Sequence, residues 1–280
     1  MRTRTGTWGL RLGAVAVALG MTVSQGLAQA TVATPPHDFT GDGHPDVLAV
    51  TTGGALLLYP GNGLTFGSRT SIGVGWATLT LTSGGGDWNA DGHPDLLART
   101  STGDLRLYNG TGTRFSGYTL IAASGWTGRA FVGPGDWDGD GHPDLIGRMA
   151  NGDLRLFRGA GAGIAGGYTR IGTGWTNLKI IGAGDWDGDG HPDLLARTAT
   201  GDLRLYRGNG VSFMAGSTTI ATHWDGLKPV AVGDWDSDGH ADLLARSSDG
   251  VLWLYKGTGN GISAAGIQIG IGWGSFIALA

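Results

Sequence analysis

The chain has no cysteine and no glutamate. Without thiols it can form no disulfide and offer no thiolate ligand or nucleophile, so its stability must rest on a large core, on bound metal, or on both. Without glutamate, all 23 acidic residues are aspartates. No segment repeats apolar residues at helical spacing, which excludes a helical bundle. Basic clusters are missing as well: 19 lysines and arginines are scattered along a chain of formal charge −4, which argues against nucleic acid as a partner. Long apolar runs are scarce. The one candidate, Leu12 to Val23, falls short of the roughly 20 residues that span a bilayer.

That short run has a different reading. Arg2, Arg4 and Arg11 precede or bound it, and Ala28-Gln29-Ala30 places small residues at the −3 and −1 positions of a cleavage site. Residues 1–30 are expected to be a cleaved signal peptide, and 31–280 a single secreted domain with no membrane span. Loss of three arginines leaves 16 basic residues against 23 aspartates, a formal charge of −7.

What the chain has in quantity is repetition. At intervals of 49 residues it spells one aspartate-rich loop five times, beginning at Asp38, Asp87, Asp136, Asp185 and Asp234. Loop positions 1, 3, 5 and 9 carry oxygen side chains, a glycine holds position 6, and a histidine at position 7 offers its backbone carbonyl. The candidate ligands are Asp38, Thr40, Asp42, His44 and Asp46 in the first loop, and Asp87, Asn89, Asp91, His93 and Asp95 in the second. They continue as Asp136, Asp138, Asp140, His142 and Asp144, then Asp185, Asp187, Asp189, His191 and Asp193. The fifth set is Asp234, Asp236, Asp238, His240 and Asp242. Eighteen of the 23 aspartates lie in these loops, so the acidity marks sites and not a solvated surface.

The repeat also dictates architecture. Each unit has four strand-like runs, seen in the fourth copy as Leu178 to Gly182, Asp193 to Thr198, Asp202 to Arg207 and, from the flanking hairpin, Tyr168 to Ile171. Asp-Leu-Arg-Leu-Tyr alternates as a half-buried strand does, whereas Leu-Leu-Ala reads as a strand covered on both faces. The 56 glycines fall at fixed repeat positions and read as turns. The runs before loops two to five are Thr78 to Leu81, Ala130 to Val132, Leu178 to Ile181 and Pro229 to Val232; loop one has none, because Pro35-Pro36 interrupts it. An orphan copy of that run, Trp273 to Ala280, stands at the end of the chain. The expectation is all-β: a five-bladed propeller of four antiparallel strands per blade, closed by the C-terminal strand completing the first blade. An open solenoid would need polar caps that this sequence lacks.

The run Ile180-Ile-Gly-Ala-Gly-Asp-Trp-Asp-Gly-Asp-Gly-His-Pro-Asp-Leu-Leu195 resembles the FG-GAP/VCBS repeat, the calcium-bearing propeller blade also found in integrin α-subunits. The resemblance covers the mature chain and implies fold and metal rather than activity; many relatives have seven blades where this chain has repeats for five. Independently, calcium takes six to eight oxygens, which such a loop can supply. An EF-hand is excluded, since position 12 is Ala49, Ala98, Gly147, Ala196 or Ala245 instead of glutamate. The five histidines hint at zinc, but oxygen-rich sites favour calcium. Up to five calcium ions are therefore expected, with the first site weakest because Thr40 replaces an aspartate.

A second repeated signature is Trp76, Trp126, Trp175, Trp224 and Trp273. These side chains either wedge between blades or line ligand pockets and stack on sugar rings. Another set, Trp88, Trp137, Trp186 and Trp235 with Phe39, lies inside the loops and reads as structural. No serine sits in a nucleophile-elbow motif, and Asp104, Asp153, Asp202, Asp225 and Asp249 are the only carboxylates outside the loops. The expectation is a non-enzymatic, monomeric, calcium-stabilised binding module, lectin-like in the manner of five-bladed lectin propellers. Its partners would be glycans or extracellular proteins. A protein-interaction scaffold is the alternative, and a propeller hydrolase or lyase a more distant one.

Overall fold

The computed structural model describes residues 37–82, 86–161 and 163–280. The expected signal peptide, residues 1–30, lies outside the described residues. Blade 1 holds β1 (Val47–Val50), β2 (Leu56–Tyr59) and β3 (Thr70–Gly73). Blade 2 holds β4 (Thr80–Leu81), β5 (Leu96–Arg99), β6 (Leu105–Gly110) and β7 (Phe115–Ala122). Blade 3 holds β8 (Ala130–Gly135), β9 (Asp144–Arg148), β10 (Leu154–Phe157) and β11 (Thr169–Gly172). Blade 4 holds β12 (Lys179–Gly184), β13 (Asp193–Arg197), β14 (Leu203–Tyr206) and β15 (Thr218–Ala221). Blade 5 holds β16 (Leu227–Gly233), β17 (Asp242–Ser247), β18 (Leu252–Tyr255) and β19 (Ile267–Gly270). The last strand, β20 (Ala278–Leu279), leaves blade 5 and returns to blade 1.

That return closes the five-bladed propeller. β20 pairs antiparallel with β1, Ala49 opposite Leu279 and Val50 opposite Ala278. Leu48 and Ala280 exchange both backbone hydrogen bonds, at 2.7 and 3.0 Å. Every sheet is thereby four-stranded and antiparallel, and no α-helix occurs among the described residues. First strands of neighbouring blades lie side by side around the axis: β8 against β12, β12 against β16, and β20 against β4.

One expected run divides. Of Thr78 to Leu81, only Thr80 and Leu81 are strand, because Trp76–Thr78 form a single 3-10 turn that Gly75 enters at φ 82°. The same turn recurs at Trp273–Ser275 before β20.

The core is not central but divided among the junctions between blades. One cluster joins Ile146, Leu154 and Leu156 of blade 3 to Leu194 and Ala196 of blade 4. The next joins Leu195, Leu203 and Leu205 of blade 4 to Leu243 and Ala245 of blade 5. Adjacent residues Leu194 and Leu195 therefore face opposite neighbours, which is the physical reason the second strand of each blade is an unbroken apolar run. Another cluster sets Val47 and Ala49 of blade 1 against Leu244, Leu252 and Leu254 of blade 5, so ring closure is also core formation. Burial of each such leucine contributes about 2 kcal/mol.

Antiparallel order sorts the connections onto two faces. The aspartate loops and the turns between third and fourth strands share one face. The short turns between second and third strands, and the tryptophan-bearing links between blades, share the other.

Candidate metal centres

Position 9 of each loop begins the second strand or immediately precedes it, and its carboxylate is fully buried in all five blades: Asp46, Asp95, Asp144, Asp193 and Asp242 are each 0% exposed. Each ties two segments of its own blade together. One oxygen accepts the N–H of the loop's own backbone, from Thr40 at 2.9 Å, Trp88 at 3.0 Å, Trp137 at 2.8 Å, Trp186 at 3.0 Å and Trp235 at 3.0 Å. The other accepts the N–H of a glycine at or just past the end of the third strand, at 2.7–2.9 Å: Gly61, Gly110, Gly159, Gly208 or Gly257. Only glycine fits there. A Cβ on Gly208 would stand 2.0 Å from the Pro192 carbonyl oxygen, and the other four meet the same obstacle.

Burial pushes these five carboxyls up to about 6, while the bonded N–H groups pull the other way and nearby loop aspartates push further up. The repeat thus stores five carboxyls that ionise reluctantly.

Position 1 organises the loop. Asp136 accepts the N–H groups of Gly139, Asp140 and Gly141 at 2.8–3.1 Å, and Asp185 does the same for Gly188, Asp189 and Gly190 at 2.8–3.0 Å. Position 5 faces the chain instead: Asp140, Asp189 and Asp238 each accept the N–H of the following histidine at 2.9 Å. The imidazoles of His93, His191 and His240 lie over the turn glycines Gly112, Gly210 and Gly259. No histidine joins a metal-competent cluster among the described residues.

Such clusters form at three loops. Asp136, Asp138 and Asp144 present carboxylate oxygens within 4.8 Å of one another, as do Asp185, Asp187 and Asp193, and Asp234, Asp236 and Asp242. Two of these sets contain a buried oxygen with no hydrogen-bond partner, Oδ1 of Asp138 and Oδ1 of Asp187. Unpaired buried carboxylate oxygens are costly, and a hard cation among three carboxylates would satisfy them. The donor set therefore fits a metal ion. The first two loops, with Thr40 and Asn89 at position 3, form no such cluster among the described residues.

Position 3 has a partner that the spacing of the loop aspartates does not reveal. Arg158 pairs with Asp138, Arg207 with Asp187 at 2.5 Å, and Lys256 with Asp236, each from the turn after the third strand of the same blade. The paired aspartate side chains are only 7–14% exposed. Equivalent residues in the first two blades are Pro60, opposite Thr40, and Asn109, opposite Asn89. The signal lay in the repeat itself: a cation stands 20 residues after position 3 where position 3 is charged, and a neutral residue stands there where it is not.

The five inter-blade tryptophans occupy the opposite face. Each donates its backbone N–H to a turn glycine of the preceding blade, as Trp175 does to Gly152 at 2.9 Å. Each ring then packs on an aromatic residue of the following blade. Trp76 meets Tyr108 at 4.5 Å, Trp126 meets Phe157 at 5.2 Å, and Trp175 meets Tyr206 at 4.4 Å. Trp224 meets Tyr255 at 4.6 Å, and Trp273 closes the ring on Tyr59 at 4.5 Å. All five are only 3–6% exposed. Of the two roles left open, wedging between blades describes their placement; a sugar would reach an indole face only by displacing the neighbouring blade. The loop tryptophans Trp88, Trp137, Trp186 and Trp235 are more deeply buried still, at 0–1%, and Trp137 reaches Phe213 of the next blade at 5.2 Å.

The model of the FG-GAP-like repeat matches residues 38–98, 87–147, 136–196 and 185–245. Each window runs from one aspartate loop through the next; a window opening on the fifth loop would need a sixth, which the ring supplies from loop one. No curated protein matches the chain. Among solved structures, a chain of the Photorhabdus luminescens Tc holotoxin pore is similar at 16% identity and a TM-score of 0.43. That similarity covers 88% of the present chain and 12% of the toxin chain. With four overlapping windows running from the first loop through the fifth, the chain belongs to the FG-GAP-like repeat family.

Proposed function

We propose that this is a secreted, calcium-stabilised binding module that recognises carbohydrate through several blades. The observation that carries the metal half is the pair of orphaned carboxylate oxygens, on Asp138 and Asp187, inside three-carboxylate clusters. In blades 3 to 5 the ion would be held by positions 1, 3 and 9, with position 5 and the histidine carbonyl as further oxygen donors. Loops one and two would hold it more weakly, and loop one the weakest. Calcium at 100 times its dissociation constant adds about 2.7 kcal/mol per site, which offsets the lack of disulfides.

Binding rather than catalysis is supported by the carboxylates outside the loops. Asp104 accepts the Ser124 N–H at 2.9 Å, Asp202 pairs with Arg204 at 3.6 Å, and Asp249 accepts from Ser247. These are turn-fastening roles, and near-identical blades favour several equivalent contacts over one unique centre. Since the inter-blade tryptophans are covered, glycan contact in this reading falls to the surfaces beside Trp76, Trp126, Trp175, Trp224 and Trp273.

Two measurements test the proposal on purified protein. Chelation should lower the melting temperature and added calcium restore it; an unchanged melt would sink the metal assignment. A broad glycan array should return hits; a clean negative would leave the second reading, a protein-interaction scaffold. That reading has its own support in exposed apolar side chains on the tryptophan face of blades 1 and 5, Val74 at 84% and Ile271 at 72%.

A further inference from the structure

One position breaks the repeat. Three residues after each inter-blade tryptophan the chain carries Leu79, Leu178, Leu227 or Phe276, but after Trp126 it carries Arg129. An arginine at an otherwise apolar position calls for a partner, yet the Arg129 guanidinium makes no hydrogen bond or ion pair with any described residue. It lines a cavity of about 330 Å³ at the junction of blades 2 and 3, on the face away from the aspartate loops.

Two more arginines share that cavity, and no carboxylate does. Arg99 is anchored through Nη1 to the carbonyls of Trp126, at 3.0 Å, and Arg129, with Nη2 on the Thr80 hydroxyl at 3.3 Å. Arg148 is anchored to the carbonyls of Thr176, at 3.2 Å, and Leu178. Carbonyl groups position these guanidinium groups without neutralising them. The result is a preorganised site of three positive charges with apolar wall from Leu81 and Phe131.

We propose that this cavity binds the anionic group of an acidic polysaccharide, a carboxylate- or sulfate-bearing sugar unit, with Arg129 as the residue that confers the preference. The inference rests on the glycan-binding reading above and specifies its ligand class. Guanidinium matches both oxyanions in bidentate geometry, and the volume suits one charged ring. A polymer is favoured over a free sugar because a second cavity, about 360 Å³ and lined by Lys179, Arg197, Lys228 and Arg246 against a single carboxylate, Asp225, opens on the same face at blades 4 and 5. Repeated anionic units could engage both and gain by avidity. Nucleic acid is disfavoured because the chain is net negative.

The test is binding of the full-length secreted protein to immobilised polygalacturonate, dextran sulfate, neutral dextran and a single-stranded oligonucleotide at physiological salt. Arg129→Leu installs the residue of three other blades, so the fold should persist, which circular dichroism checks. Support is binding of at least one acidic polymer that weakens about 10-fold or more in Arg129→Leu and is largely retained in Arg129→Lys. The carboxylate and sulfate polymers, compared, say which anion is preferred. Undiminished binding by Arg129→Leu overturns the site, and oligonucleotide binding as tight as that of the acidic polymers overturns the ligand class. Retention of neutral glycans without acidic preference overturns this inference alone. Failure on every glycan, here and on the array, overturns the broader reading with it.

Discussion

Blades 3 to 5 and blades 1 and 2 solve one problem in two ways. The former place four aspartates in the loop and a cation 20 residues after position 3; the latter place three aspartates in the loop and a neutral residue there. Counting the paired side chain, every loop carries a formal −3. The apparent gradient of charge along the chain is therefore cancelled within each blade. What differs is geometry: three carboxylates converge within 4.8 Å in blades 3 to 5, and the position-3 aspartate is held in place by its own counter-ion. If charge governs metal affinity, the five sites should be close to equal. If convergence governs it, blades 3 to 5 should bind first.

The largest expected effect ignores the division and so provides its baseline. All five position-9 carboxyls sit at about 6 in the fold against an ordinary 3.8. Between those values the unfolded chain has released protons that the folded chain keeps, which favours the unfolded state. Metal-free protein should accordingly lose stability as pH rises from about 4 to about 6, by at most about 3 kcal/mol per carboxyl. A cation held by these carboxylates requires their ionised form, so if calcium binds as proposed, saturating calcium should make stability rise with pH over the same window. Thermal melts with chelator and with calcium across this range check both signs.

Next in size is the glycine that receives the position-9 carboxylate. Gly61→Ala and Gly208→Ala both drive a Cβ into a carbonyl, at 1.9 and 2.0 Å, and each should cost about 3 kcal/mol or more in urea unfolding. Equal costs would place blades 1 and 4 on a common frame and confine their difference to the ion site. A much smaller cost in blade 1 would mean the first loop is already loose.

Much of this frame was legible in sequence, and the reasons are local. Unbroken Leu-Leu-Ala runs marked strands shared by two junctions, and the orphan run Trp273 to Ala280 implied ring closure. Spacing alone marked the five loops, and in three of them the aspartates at positions 1, 3 and 9 converge. What escaped were relations across space: Asp193 holding Gly208, Arg207 holding Asp187, and Tyr206 covering Trp175. A tryptophan that could stack on a sugar and one that wedges a blade have the same sequence signature, because only the neighbouring blade decides which face is free.

The counter-ion itself comes third. Arg207→Gln leaves Asp187 unpaired and should destabilise metal-free protein by about 1 kcal/mol, the pair being partly exposed. In calcium the sign should reverse, since a competing cation has been removed: one site should tighten, by about 5-fold. Transplanting the pair gives the converse. Asn89→Asp should strengthen the second site, and adding Asn109→Arg should return it toward its original affinity. Calorimetric titration separates these outcomes; no change in any of them would show that geometry alone sets affinity.

The smallest effect asks what kind of contact the pair is. Blade 5 uses Lys256 where blades 3 and 4 use Arg158 and Arg207. Lysine offers a point charge and arginine a planar fork, so a role that depended on bidentate geometry would not tolerate the exchange between blades. Lys256→Arg should leave the melting temperature within about 1 °C and calcium affinity within about twofold. A larger change would mean that blade 5 differs from its neighbours by more than the identity of its cation, and the division of the ring would then fall between blades 4 and 5 as well as between 2 and 3.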